Sequence, residues 1–568
     1  MRKNVELVGY PIAMDKAQPP AMFVPQIISV SFNADLVTQW IQYCGRHHKS
    51  LCAQVNQLRQ SLWLIDCRGE NRHHVVEAPL DAPYVALSYV WSSSKATSAH
   101  GLDISGDGKP KLPLSLPLVV EDAIKVVKDL RFRYLWIDKF CIDQKDEAMM
   151  SMQIQHMDAV YEAADITIIA AAGEDEDFGL PGVSKPSRTT QPVAVIDDSL
   201  SVISSMRDPH SSIQGSRWWT RGWTFQEGVL SRRRLVFTKE QVYFECNAMN
   251  CYESLQSPLD QLHIRNRTKM RDSLRPGVFG RSRKQLEFGK LNPSTLRLCH
   301  SFIQYLGAVE QYSARTLRYD KDSLNAFRGV MRSYVKRKLS ICQLWGVPLP
   351  VMDDFTETSR YFADSLAWHH RYDWRDAANA PKRRTQFPSW SWAGWQGEVV
   401  YPYRDDKTYR SKSAFFSGVQ VMEPSAEFCT RLLTMSTPDS EVESTKELVL
   451  GACVIPADWF SLKKDWWYMN TAHARGITDL WLSRRPPSDI EFSSLLKQQT
   501  TRCILIGGVL EGHRFLLHIM VLERSDLGDG REIYSRIGIF VVYLHRSFLP
   551  YWTLGSDNLP IKSVFRLI

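Results

Sequence analysis

YVALSYVW, residues 84–91, is a short apolar run of strand-forming residues, and it begins the part of the chain whose pattern decides the fold. Apolar side chains then recur at helical spacing over residues 116–130, which predicts an amphipathic helix. Residues 134–142 form a second apolar run, residues 150–164 carry another helical pattern, and residues 166–172 form a third run. Strands that alternate with helices predict an α/β fold, in which helices flank a mostly parallel sheet.

Length and composition limit the class of protein. The chain has 568 residues, which at about 100–200 residues per domain predicts several domains. Its 70 Lys and Arg exceed its 62 Asp and Glu by only 8, so it is not a dedicated nucleic-acid-coating protein, and we expect no nucleic-acid partner. Hydrophobic residues at 44% exclude wholesale disorder.

Changes in charge and in hydrophobic pattern along the chain predict four regions. Residues 1–75 give weak signals and are interpreted as an N-terminal extension, before an α/β domain at residues 76–255. Residues 256–345 form a basic loop and a helical linker region, because nine Lys or Arg fall within residues 265–290 and helical spacing follows. Short strand patterns dominate residues 346–568, which are therefore predicted to be β-rich.

The cysteines and the most apolar stretch indicate a cytoplasmic protein without a membrane span. Eleven cysteines are an odd number and lack the dense spacing of a disulfide scaffold. The N-terminus shows no signal peptide pattern. The most apolar long stretch, Cys503 to Leu522, carries Glu511 and Arg514 at its centre, so it predicts two paired strands.

Polar residues at the ends of the predicted strands are the first candidates for a ligand site, because ligands of open α/β sheets bind beyond the carboxyl ends of the strands. The first strand carries Ser88 and Trp91 near its end. The second ends at Asp138, with Gln144 just beyond it. These residues are candidate ligand-binding groups, and Asp138 is a candidate catalytic carboxylate.

A Trp-rich helix supplies the second candidate carboxylate. Trp223 and Glu227 are four residues apart and share a helix face, so we expect the carboxylates of Asp138 and Glu227 to lie within about 12 Å of each other. Carboxylates among aromatic rings suit a ribose that carries a planar base, or stabilise an oxocarbenium-like state. The alternative is structural: Glu227 pairs with Arg221 or Arg232, Asp138 caps the next segment, and the tryptophans are core.

Other chemical signatures are weak. Cys246 and Cys251 lack a second Cys or His pair at zinc spacing, so packing cysteines and no metal are expected, and no cofactor is expected. The sequence contains no GxSxG, Walker or GxGxxG motif. Trp390 and Trp392 favour a packed aromatic core over a ligand platform.

Four ordered blocks resemble the fungal heterokaryon incompatibility (HET) domain family. The blocks are YVALSYVW at 84–91, YLWIDKFCIDQ at 134–144, residues 157–182, and RGWTFQEGVLSRR at 221–233. The resemblance implies a role in fungal non-self recognition and regulated cell death, inside the cell.

The HET domain is in turn similar to the Toll/interleukin-1 receptor (TIR) domain, so the resemblance implies a flavodoxin-like sheet. Some TIR domains cleave NAD with a glutamate in a WCxxE helix, and residues 223–227 here read WTFQE. The analogy implies that Glu227 cleaves NAD, assisted by Asp138 and by the rings of Trp91 and Trp223. The alternative is a non-catalytic signalling or assembly module that acts through a protein partner or a homo-oligomer.

Overall fold

The computed structural model forms two compact units, Met1–Gln285 and Leu286–Ile568. The residues that it describes are 10–15, 24–53, 62–69, 73–92, 110–142, 147–271, 274, 277–279, 293–336, 340–352, 355–371, 380–402, 415–423, 425, 427–428, 431, 446–463, 466–470, 475–483, 494, 496, 500–511, 514–526, 531–545, 547 and 562–568. Gln144 lies outside these residues, as does most of the predicted basic loop.

Helices and strands of the first unit are numbered along the chain. The helices are α1 (Ala34–His47), α2 (Lys49–Cys52), α3 (Leu118–Asp129), α4 (Asp138–Cys141), α5 (Glu147–Gln155), α6 (Met157–Ala163), α7 (Pro209–Gln214), α8 (Arg217–Thr220), α9 (Thr224–Leu230) and α10 (Leu259–Leu262). The strands are β1 (Pro11–Asp15), β2 (Val24–Pro25), β3 (Trp63–Asp66), β4 (His74–Glu77), β5 (Tyr84–Ser88), β6 (Tyr134–Trp136), β7 (Ile166–Ala170), β8 (Val193–Val195), β9 (Leu200–Ser204), β10 (Arg233–Phe237), β11 (Val242–Cys246), β12 (Asn250–Tyr252) and β13 (Leu255–Gln256).

The main sheet of this unit is mixed, in the order β2-β13-β12-β11-β10-β7-β5-β6-β3-β4. Its centre, β10-β7-β5-β6, is parallel, whereas the strands on either side pair antiparallel. The α/β class is therefore confirmed, and the parallel pairing is limited to these four central strands of a sheet that is mixed as a whole. Tight connections such as those between β10, β11 and β12 allow only antiparallel pairing, because a parallel pair needs a long crossover.

The predicted strands at the centre are present and buried. All five residues of β5 and of β7 are buried, as continuous apolar runs predict for parallel strands with both faces covered. Leu135 and Ile137 are fully buried, as predicted. The second strand is shorter than its apolar run, since β6 ends at Trp136 and a helical turn begins at Asp138.

The described strands before residue 76 pair with the main sheet of this unit, apart from β1. β3 pairs with β6 and β4 pairs with β3, while β2 pairs with β13 at the opposite edge. α1 buries Val37, Trp40 and Cys44, and the Trp40 ring lies 6.0 Å from that of Phe244 on β11. The spacing of these three residues is that of one helix face, so the apolar stripe of α1 covers the sheet.

The second unit begins with helices, as predicted for the linker region, and continues as a β-rich region. Its helices are α11 (Pro293–Ser313), α12 (Asn325–Val335) and α13 (Phe355–Ser365). Its strands are β14 (Ile341–Leu344), β15 (Val347–Pro350), β16 (His369–His370), β17 (Lys382–Arg383), β18 (Trp395–Gln396), β19 (Val399–Val400), β20 (Phe415–Ser417), β21 (Val419–Glu423), β22 (Leu448–Ile455), β23 (Phe460–Lys463), β24 (Trp466–Asn470), β25 (Arg475–Leu482), β26 (Thr501–Glu511), β27 (Arg514–Asp526), β28 (Glu532–His545) and β29 (Lys562–Leu567).

Long antiparallel strands dominate this second unit. β26 and β27 form the hairpin predicted for the stretch from Cys503 to Leu522, and β27 also pairs with β28. Trp390 and Trp392 are each 1% exposed, which confirms the packed aromatic core. Their indole N–H groups donate to backbone carbonyls of Lys446 and Gly346. Of the helices described, none is long and apolar enough to cross a bilayer.

We predict that Leu135→Ala destabilises the first unit by about 2–5 kcal/mol, because it removes a fully buried side chain from the central sheet. Denaturant unfolding of the full chain, with hydrogen exchange measured on peptides that contain β5 and β7, reports the loss. Leu114→Ala is the matched control, since Leu114 is 85% exposed and its truncation is expected to cost less than about 0.5 kcal/mol. Equal effects of the two variants would contradict the central position of β6.

Candidate functional site

The candidate site lies where the central parallel strands end. In chain order these strands are β5, β6, β7 and β10, whereas in space they run β6-β5-β7-β10. The chain therefore leaves β5 towards one side and later returns on its other side, and such a reversal opens a crevice at the carboxyl ends of the strands. Ser88 is the last residue of β5, and Asp138 follows β6 after one residue.

Glu227 is the buried centre of the site. It lies in α9 and is 6% exposed. Its Oε2 accepts a hydrogen bond from the Ser88 hydroxyl, and the Tyr161 side chain also hydrogen-bonds to the Glu227 carboxyl group. Ser88 Oγ in turn accepts from Trp218 Nε1 at 2.7 Å. Burial, and then the charge of Asp138, raise the pKa of Glu227 to about 7, against the opposing effects of Ser88, Arg221 and Tyr161.

Asp138 is the second carboxylate, and it opens the helical turn α4. Its Oδ1 accepts a hydrogen bond from the backbone N–H of Lys139 at 2.8 Å, and the Trp91 side chain also hydrogen-bonds to the Asp138 carboxyl group. Burial raises the pKa of Asp138 to about 6, although the Lys139 N–H, Arg221 and Trp91 all favour the ionised form. The Trp91 side chain is 37% exposed, so the site reaches solvent on this side.

Tyr89 carries an unsatisfied polar atom in the same place. It is 4% exposed, and among the described residues its buried hydroxyl has no hydrogen-bond partner. Burial raises its pKa well above the usual value, and the charges of Asp138, Glu176 and Glu227 act in the same direction, while Arg221 opposes them. A buried hydroxyl without a partner is uncommon in native proteins, and a ligand that enters the site could satisfy it.

The structure joins Ser88, Trp91, Asp138 and Glu227 in one network of hydrogen bonds and charges. Trp223 is the N-cap of α9, has helical dihedral angles, and packs, partly buried, against the core. The ring that bonds to Ser88 is Trp218, which sequence reasoning missed.

The alternative interpretation, in which Glu227 pairs with Arg221 or Arg232, is supported in part for Arg221. Arg221 favours the ionised forms of both carboxylates through its charge, and its Nη1 donates to the Tyr89 carbonyl at 2.9 Å. Arg232 has other partners, because its Nη2 donates to the carbonyls of Ala163 and Ala164.

A cleft of about 720 Å³ lies elsewhere in the unit, between α1 and the β12–β13 edge of the sheet. Trp40, Tyr43, Glu253 and Asp260 are among the residues that line it. The candidate residues at the carboxyl ends of β5 and β6 do not line this cleft, so it is a separate feature of the surface.

A second group of reactive side chains was not expected from the sequence. The thiols of Cys44, Cys52 and Cys246 and a ring nitrogen of His48 all lie within 4.8 Å of one another, and all four residues are buried. We call this group the cysteine–histidine cluster. From the sequence, Cys246 is considered only together with Cys251 and is interpreted as a packing cysteine. The structure places it beside Cys44, His48 and Cys52, whose side chains can all bind metal ions.

Comparison with known proteins identifies the segment that contains the candidate site. Residues 84–227 match the family described as heterokaryon incompatibility protein (HET). Heterokaryon incompatibility protein 6, OR allele, from Neurospora crassa is 31% identical over 106 residues, which cover 17% of this chain and 15% of that protein. No solved structure matches the chain significantly. The segment that is similar to the HET family therefore begins at β5 and ends at Glu227.

Proposed function

We propose that this chain acts in fungal non-self recognition and regulated cell death, and that its HET domain cleaves NAD at the site formed by Ser88, Asp138 and Glu227. The observation that carries the proposal is the buried Glu227, with a pKa of about 7, beside a second carboxylate at the ends of parallel strands. Strongly shifted carboxylates in such a position are typical of functional sites. The order β6-β5-β7-β10 also agrees with the start of the flavodoxin-like order, which supports a TIR-like domain.

The proposed reaction is hydrolysis of the bond between nicotinamide and ribose. The C1′–N bond breaks, its electron pair goes to the nicotinamide nitrogen, and a water oxygen forms the new bond to C1′. Ionised Glu227 stabilises the positive charge that develops on the ribose, and Asp138 accepts the proton that the water releases. The exposed face of Trp91 offers a ring for stacking on a planar base.

The two pKa values fit this division of roles. Asp138, with a pKa of about 6, is mostly ionised at pH 7, whereas Glu227, with a pKa of about 7, is present in both forms. The charge of Asp138 disfavours ionisation of Glu227, so the protonation of Glu227 depends on that of Asp138. Two neighbouring carboxylates with different pKa values can act as base and as electrostatic stabiliser in one reaction.

The burial of Glu227 and Ser88 favours a second candidate function, a non-catalytic signalling or assembly module. Ser88 is 1% exposed and bonds to both Trp218 and Glu227, so these contacts also hold α8 and α9 against β5. In that case the network shapes a surface for a protein partner or for a second copy of the chain.

We predict that Glu227→Gln lowers nicotinamide release from NAD by about 100-fold or more, because the neutral amide no longer stabilises positive charge in the transition state. The full-length chain is incubated with NAD and nicotinamide is quantified, while circular dichroism checks the fold.

Glu121→Gln is the control variant, since Glu121 lies on the exposed side of α3, and it is expected to retain wild-type release. Equal release by wild type and Glu227→Gln would exclude a catalytic role of Glu227. Equal killing of a fungal host by both proteins, without loss of NAD, would support the assembly module instead.

The same substitution predicts a pH-dependent gain in stability. Folding raises the pKa of Glu227 from 4.5 to about 7, so the folded state favours the protonated carboxyl. The stabilisation is complete below about pH 4.5 and is lost as the pH rises through about 7. Glu227→Gln keeps a neutral group at every pH, so we expect it to be more stable than wild type at pH 8, by up to about 3 kcal/mol, and similar to wild type at pH 4.5.

Thermal and denaturant unfolding at the two pH values measure this difference. Glu121→Gln again serves as the control, and its difference from wild type should change little with pH. A stability gap between wild type and Glu227→Gln that stays constant with pH would show that burial does not disfavour the ionised carboxylate.

A further inference from the structure

The cysteine–histidine cluster joins two parts of the first unit that are far apart in sequence. Cys44 lies in α1, His48 lies between α1 and α2, and Cys52 ends α2. The fourth member, Cys246, ends β11. The spacing of 44, 48 and 52 places three side chains on one face of the helical segment, and α1 packs that face against the sheet.

The distances suit a single small ion. Zn–S bonds of about 2.3 Å and Zn–N bonds of about 2.1 Å put neighbouring ligand atoms of a tetrahedron about 3.5–3.8 Å apart. His48 Nδ1 lies 3.4 Å from Cys246 Sγ, and no pair of ligand atoms in the cluster is more than 4.8 Å apart. Three sulfurs and one imidazole nitrogen are a typical ligand set of structural zinc sites.

A chain of hydrogen bonds orients the lone pair of His48 towards the cluster. His263 Nδ1 contacts the Leu259 carbonyl, which can only accept, so this nitrogen carries the proton. In neutral His263 the other nitrogen, Nε2, is therefore an acceptor, and it lies 3.0 Å from His48 Nε2. His48 Nε2 must then be the donor, which leaves His48 Nδ1 without a proton and facing Cys246. A zinc-bound histidine typically donates its second ring N–H in this way.

The N–H groups that donate hydrogen bonds to the sulfur atoms suit thiolates better than thiols. Arg233 Nε donates to Cys44 Sγ at 3.2 Å, and the Ala248 N–H donates to Cys246 Sγ at 3.4 Å. Three thiolates around one divalent cation leave a net charge of about −1, which the half-buried guanidinium of Arg233 balances. Arg233 itself is held by the Asp165 carbonyl, to which its Nη1 donates at 3.1 Å.

We propose that the cysteine–histidine cluster binds one zinc ion as a structural site. Four protein ligands complete a tetrahedral shell and leave no open position for water or substrate, so the site is structural. The ion displaces the thiol protons and cross-links the segment of α1 and α2 to the end of β11. This proposal is independent of the proposed function of the HET domain, because the cluster shares no residue with the carboxylate site.

The test measures the metal content of the full-length chain. The protein is expressed with zinc in the medium and purified without chelators, and its zinc is quantified by elemental mass spectrometry. We expect about one zinc per chain for wild type and a loss of at least about 80% in the double variant Cys44→Ser/Cys246→Ser. Cys251→Ser is the matched control, since Cys251 is also buried, lies on the neighbouring strand β12 and is outside the cluster, and it should retain its zinc.

A measurement on wild type covers the case in which the double variant does not fold. Replacement of zinc by Co²⁺ should give the visible bands of tetrahedral cobalt and the near-ultraviolet bands of thiolate ligation, and a strong chelator should lower the melting temperature. Wild type without zinc and without these cobalt bands would overturn the proposal. So would zinc retained by the double variant, or an intact mass that shows a Cys44–Cys246 disulfide.

Discussion

The first unit depends on β5, a strand that is closed off from water on both faces and along both edges. All five of its residues are buried, and it pairs in parallel with β6 on one side and β7 on the other. Peptide groups in such a strand cannot bond to water, so a change of register would leave buried polar groups unpaired. The Tyr84 hydroxyl adds a bond to the Val160 carbonyl of α6. The fixed register of β5 thereby determines where Ser88 meets Glu227.

The carboxylate site keeps two acidic groups where their charges oppose each other. An apolar pair of similar size would remove the desolvation cost, and buried charges are weak stabilisers in general. Arg221 and the hydroxyl of Ser88 reduce that cost without removing it, since burial still dominates the pKa of Glu227. Local arrangements that conflict with stability are expected at functional sites, where the conflict is part of the chemistry.

The sequence predicts the centre of the sheet better than its edges or its site. The sequences of β5 and β7 are continuous apolar runs, a pattern that is typical of strands with both faces covered. The edge strands β2 and β13 have only two residues each, too few for any periodicity, so their antiparallel pairing was missed. Helical spacing selected Glu227 together with Trp223, which is the N-cap of α9. Trp218 reaches Ser88, and Tyr161 reaches Glu227, only through tertiary packing, and no local pattern contains that information. The spacing of Cys44, His48 and Cys52 was visible, but their partner Cys246 is remote in sequence.

The pairing of β2 with β13 has a consequence for the time course of synthesis. Gln26 and Gln256, whose side chains bond beside these strands, are 230 residues apart. During synthesis, β2 and α1 leave the ribosome well before the strands with which they pair. The apolar face of α1 therefore stays exposed to water until β11 has been made. Contacts between such distant residues slow folding and prolong the exposure of apolar surface to other chains. β2 and α1 are therefore synthesised well before β11 and β13, and they are among the last elements of this unit to reach their final place.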